Sequence, residues 1–191
     1  DNYVSDTLAQ LRQLLAEKPA APEPPLPILP EPAGTNDIAA QVAYLDLSDG
    51  GTGIRWVGRV GQSVDPVMER GLRYYFQGLT ADKKWLISAV MPVSNDVLPD
   101  PETLTADPGF YDNYSAYLES AIILLDDLPP SSFVPDLALL DARAAAHARR
   151  KTRQVAIGGT ERALVPEQDE VAVAALTAGD VHDAIARGAY R

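Results

Sequence analysis

Residues 53–60 read GIRWVGRV, and residues 72–93 read LRYYFQGLTADKKWLISAVMPV. Aromatic and β-branched side chains dominate both stretches, which is the composition of pleated, half-buried strands. Three strands are expected, over 54–60, 72–79 and 84–93. Thr80-Ala81-Asp82-Lys83 turns the second into the third, and so short a connection favours antiparallel pairing over a parallel crossover. Upstream, residues 38–47 alternate imperfectly around Val42, Tyr44, Leu45 and Leu47, and Asp49-Gly50-Gly51 closes that segment as a turn. This makes a fourth strand.

Helical spacing takes over after the strands. Asp107 reads as an N-cap with Pro108 at the first helical position. Phe110, Tyr114, Tyr117, Leu118, Ala121, Ile122 and Leu125 then form one wide apolar stripe, so a helix is expected over 108–127. Pro129-Pro130 ends it. Pro135 opens a second helix, 135–150, with Leu137, Leu140, Ala144 and Ala148 on one side and Arg149-Arg150-Lys151 near its negative end. At the start of the chain, Val4, Leu8, Leu11 and Leu15 recur at helical spacing over 4–17, with Ser5 as N-cap. Residues 19–32 hold seven prolines in fourteen positions. They exclude helix and central strand and favour polyproline II, as a semi-rigid spacer or a strap over the domain.

The expected fold is α+β: a four-stranded, mainly antiparallel sheet with two helices on one face. Four regions follow: an amphipathic helix (1–18), a proline-rich linker (19–35), the α+β domain (36–141) and an alanine-rich extension (142–191). Trp56, Tyr74, Phe76, Ile87, Tyr117, Leu118, Ile122 and Leu125 should share one core. The extension carries 14 alanines in 50 residues, and a short strand at 155–157 and a helix at 180–189 are expected there.

Charge narrows the function classes. The chain of 191 residues has a formal net charge of −11. Residues 1–140 hold 8 of the basic and 20 of the acidic side chains (net −12), and residues 141–191 hold 8 and 7 (net +1). Nucleic acid is a poor partner for such a chain, because phosphate neutralisation needs clustered Lys and Arg. No cysteine is present, so disulfides and thiolate metal sites are excluded. No apolar run approaches the length of a membrane span.

GIRWVGRVGQ (53–62), LRYYFQGLTADKKWLISAVMPV (72–93) and FVPDLALLDA (133–142) together resemble a family of uncharacterised bacterial secreted or lipid-anchored proteins. That family has a strand of the form G-[IV]-R-[FW]-[LV]-T-x-Y-x-Q and a hairpin of the form Y-x-F-Q-G-L-T-x-D-G. It closes with F-x-P-D-L-x-x-L-D-A. The resemblance covers residues 38–142 and rests mainly on Tyr74, Phe76, Gln77, Gly78, Leu79, Thr80, Asp82 and Ser88. The chain departs from the pattern at Gly58 and Val60, where Thr and Tyr are expected, and at Lys83, where a turn glycine is expected. The resemblance implies an extracytoplasmic setting and supplies no reaction.

Motifs of catalysis are sparse. His147 and His182 lie far apart, and neither stands in a metal-ligand spacing. No serine sits in G-x-S-x-G, and residues 1–146 contain no histidine, which argues against a Ser-His hydrolase in the sheet domain. Gly50-Gly51-Thr52-Gly53 precedes a strand and lacks the phosphate-loop lysine, so it reads as a hairpin turn. No cofactor motif occurs. The carboxylates Asp126-Asp127 and Glu167/Asp169/Glu170 read as solvated faces, although a glycosidase-type pair needs only to meet in space.

Strand parity supplies one candidate site. Arg55, Val57 and Arg59 share one side of their strand, and Arg73, Tyr75 and Gln77 share one side of the next. If Ile54/Trp56/Val60 and Leu72/Tyr74/Phe76 meet the helices, then Arg55, Arg59, Arg73, Tyr75 and Gln77 decorate an open outer face. Such a cluster would take a carboxylate, a phosphate or an acidic glycan. The expected function is a non-catalytic extracytoplasmic domain with a binding or structural role. The alternative is a hydrolase that uses a carboxylate pair.

Overall fold

The computed structural model describes residues 2–32, 34, 36–59, 61, 63–154 and 172–176. In chain order the elements are α1 (Asn2–Glu17), β1 (Ala40–Asp46), β2 (Thr52–Gly58), β3 (Arg73–Leu79), β4 (Trp85–Pro92), α2 (Pro101–Thr105), α3 (Tyr114–Asp126), α4 (Leu137–Gln154) and β5 (Ala172–Leu176). Strands β1 to β4 form an antiparallel meander, and β5 adds in parallel beside β4. The architecture is α+β, as the strand and helix signals imply. The strand expected at 155–157 and the helix at 180–189 lie outside the described residues.

The turns explain several sequence signals. Gly50 has φ +87°, and a Cβ on Gly51 would come within 2.2 Å of Leu79 O, so the Asp49-Gly50-Gly51 turn needs its glycines. In the β3–β4 turn Lys83 adopts φ +58°, the left-handed conformation that favours glycine. Asp82 holds that turn by accepting from Thr80 Oγ1 at 2.7 Å and Lys84 N at 3.1 Å. These bonds pull its carboxyl below the ordinary aspartate range, the Thr80 bond foremost. The imperfect alternation of β1 is a β-bulge: its register shifts between Ala40 and Ala43, and Gln41 sits there at φ +55°. From the bulge the Gln41 amide donates to the carbonyls of Leu125 and Leu128, both at 2.8 Å, and so closes the end of α3.

Both faces of the sheet are covered. Val57, Tyr74, Phe76, Ile87, Ala89 and Met91 pack under α3 and α4, with Ala121, Leu125, Leu137, Leu140 and Ala144. On the opposite side Ile54, Trp56, Tyr75, Leu79 and Leu86 pack under Leu11 and Leu15 of α1 and under Leu26, Ile28 and Leu29. Residues 19–32 contain no helix or strand, and they lie on the sheet as a strap between α1 and β1. The single shared core expected for Trp56 and Phe76 is therefore corrected. Arg55 pairs with Phe76 and Trp56 pairs with Tyr75, so Trp56 faces α1 while Phe76 faces α3 and α4.

Two helix expectations also change, and one helix is additional. The 108–127 helix begins only at Tyr114; Asp107 instead caps a turn, accepting from Gly109 N at 2.8 Å. The unexpected short helix α2 carries the N-cap geometry, with Asp100 accepting from Glu102 N and Pro101 at the first position. Helix α1 starts before Ser5 and leaves Val4 exposed, while Thr7 is buried. The composition break near Asp141 falls within α4, whose Ala144 is fully buried.

Candidate functional site

The five residues of the expected anion site do not assemble. Cross-strand partners point to the same side of a sheet, so the Gly58–Arg73 and Trp56–Tyr75 pairs put Arg73 and Tyr75 on the α1 face. Arg55 and Arg59 point to the α3/α4 face. Each of these two arginines is also tied down. Arg55 Nε lies 3.3 Å from Asp141 Oδ1, an ion contact without hydrogen-bond alignment, and its Nη1 donates to Gln41 O. Arg59 forms a bidentate pair with Asp37 (Nε–Oδ1 3.2 Å, Nη2–Oδ2 2.9 Å) and donates to the carbonyls of Asp65 and Pro66 and to the Tyr114 hydroxyl. Burial opposes the Arg59 charge, but Asp37 more than offsets it and holds the guanidinium pKa above its ordinary value. Arg73 donates to the carbonyls of Arg70 and Leu72. Tyr75 stacks on Trp56 with ring centroids 5.3 Å apart. The open outer face on which the site depended is covered by α1 and the strap.

Gln77 has a structural task. It is fully buried, and its amide takes both backbone groups of one strap residue: Leu29 N donates to Oε1 at 3.3 Å, and Nε2 donates to Leu29 O at 3.1 Å. Ser88, its cross-strand neighbour, accepts from Nε2 at 2.8 Å. Tyr3 Oη donating to Ile28 O and Tyr44 Oη donating to Pro19 O hold the strap further along. Replacing Gln77 by Leu should cost on the order of 2–3 kcal/mol, because Leu29 N–H, Leu29 C=O and the Ser88 hydroxyl would be left buried without partners. Hydrogen exchange at the Leu29 amide reads this directly. Unchanged protection in Gln77→Leu would show that packing alone seats the strap.

A cleft of about 680 Å³ lies where α1 meets the strap. Helix α1 contributes Tyr3, Asp6, Thr7 and Gln10. The strap contributes Leu26, Ile28, Glu31 and four prolines, and Asn36 and Asp37 also line the cleft. The strap forms a wall because Leu26, Ile28 and Leu29 anchor it on the sheet. Asn36 is buried. In the amide orientation that suits its neighbours it accepts from Trp56 Nε1 at 3.1 Å and donates to Ile38 O and Arg59 O. Asp37 is neutralised by Arg59. The side chains of Asp6, Thr7, Gln10 and Glu31 have no hydrogen-bond or ion-pair partner among the described residues.

Among the described residues no group of three or more His, Asp or Glu side chains converges as a metal site. Asp126 accepts from Gln41 N at the bulge, which gives that carboxylate a structural partner. Glu167, Asp169, Glu170 and His182 lie outside the described residues, as does the side chain of His147. Sequence reasoning singled out the proline run but missed Thr7, Asp37 and Asp141. Thr7 falls off the leucine spacing, and the partners of the two aspartates are distant in sequence, so no local signal marks them. Compared with family models, curated proteins and solved structures, the chain finds no match.

Proposed function

We propose that this chain is a non-catalytic binding domain that works outside the cytoplasm and takes its ligand in the cleft between α1 and the strap. One observation carries the reading. The polar groups within the sheet layers, Arg55, Arg59 and Gln77, hold the fold, whereas four polar side chains that line the cleft have no partner among the described residues. A concave, largely apolar site with a few unengaged polar groups is the usual form of a small-ligand or peptide site. The extracytoplasmic setting rests on the family resemblance of residues 38–142. No helix among the described residues is long and apolar enough to cross a membrane.

An NMR titration tests the binding reading. The ¹⁵N-labelled full chain is mixed with a library of short peptides and glycan fragments, acidic glycans included. Shifts confined to α1 and strap amides are expected. Shifts scattered over the surface, or none at all, would refute the cleft as a binding site. Fractionation of the producing cells tests the setting, and recovery in the cytosol alone would contradict it.

A further inference from the structure

We infer that the cleft takes an ammonium or guanidinium group carried on an apolar body, as a lysine or arginine side chain within an apolar peptide presents it. This rests on the binding reading above and adds the chemical class of the ligand.

Charge selects the sign. Asp6 on α1 and Glu31 on the strap both line the cleft, both exposed and both without an ion-pair partner among the described residues. Asp37 adds no free charge, because Arg59 grips both of its oxygens. Among the described residues no lysine or arginine lines the cleft. Its uncompensated charge is therefore negative, on a chain whose net charge is −11. A cation is attracted by both the local and the overall field, and an anion is repelled.

The floor and walls select the shape. Thr7 is only 6% exposed and lines the cleft, and its hydroxyl has no hydrogen-bond partner among the described residues. The hydroxyl oxygen keeps its lone pairs free to accept from an ammonium or guanidinium N–H. Around it stand Ile28, the strap prolines and the half-exposed ring of Tyr3. Such walls cover the methylene stem of a lysine or arginine while its charged head reaches the carboxylates. The Tyr3 ring face can add a cation–π contact.

The test uses the full ¹⁵N-labelled chain and three matched peptides: acetyl-Leu-Lys-Leu-amide and its Gln and Glu counterparts. The Lys peptide should move the Thr7 and Ile28 amides saturably, and the Glu peptide should not. Asp6→Asn and Glu31→Gln should each weaken the Lys peptide about 2–5-fold, the range of exposed charge pairs. Raising salt should weaken it further through screening. Thr7→Val keeps the shape and removes the acceptor, so it should weaken the Lys peptide without shifting the melting temperature downward. Equal binding of the Lys and Gln peptides, indifferent to both acid variants, would overturn the cation class and leave the binding cleft standing. Silence from all three peptides would also overturn this inference, and the library titration then decides whether the cleft binds anything else.

Discussion

Replacing Phe76 by alanine is expected to destabilise the domain by about 3–5 kcal/mol, the usual cost of emptying an aromatic site in a core. Phe76 is fully buried between α3, α4 and the sheet. Its ring lies over the cross-strand pair Gly53–Gly78: a Cβ on Gly53 would come within 2.2 Å of it, and one on Gly78 within 2.7 Å. Neither glycine has a side chain that could relax into the space, so most of the cavity would persist. Against a typical total stability of about 5–15 kcal/mol, that loss brings the fold near its limit. Denaturant titration should show a lower midpoint at an unchanged slope. An unchanged midpoint would mean that Phe76 is not a core residue.

The second large effect is expected at Arg55. Its partner Asp141 lies between Arg55 and the Tyr74 hydroxyl, which donates to Asp141 Oδ1 at 3.0 Å, so the group joins β2, β3 and α4. Arg55→Met should cost about 1.5–3 kcal/mol at neutral pH, because it leaves a partly buried carboxylate without its cation. The pH dependence carries a definite sign. Burial raises the Asp141 pKa, and Arg55 works against that rise. A raised folded-state pKa means a contribution that is full below the unfolded value of about 3.9 and is lost as pH rises through the folded value. Without Arg55 the folded value rises further, so the deficit should be greatest at neutral pH and shrink on acidification. The double variant Arg55→Met/Asp141→Asn should lack that pH-dependent part. Parallel stability curves for the single and double variants from about pH 3.5 to pH 8 would show that the charge of Asp141 is not what Arg55 offsets.

The outer-face site expected for Arg55, Arg59, Arg73, Tyr75 and Gln77 shows where strand parity fails. Parity within one strand is a local property, and each strand here was divided correctly into its two sides. Matching the sides of two strands depends on register, and register is legible only when one face is plainly apolar. In this sheet both faces are buried, so Ile54/Trp56 and Tyr74/Phe76 are equally apolar and belong to opposite cores. Covering by α1 and the strap removed the hydrophobic asymmetry that would have revealed the pairing Arg55–Phe76.

The sequence by itself determined what depends on neighbours along the chain: the four antiparallel strands, the glycine turn at 50–51, the tight turn at 80–83 and a proline run without helix or strand. Backbone sterics and short-range hydrogen bonds act over a few residues, and those residues can be read directly. Only the tertiary structure decided that the proline run lies on the sheet, clamped through Leu29 by Gln77. It alone joined Arg59 to Asp37 and Arg55 to Asp141, and it alone left Asp6, Thr7 and Glu31 around one cleft. Those arrangements join segments from 22 to 86 positions apart in the chain, and such contacts arise from packing two layers against one sheet rather than from any local preference.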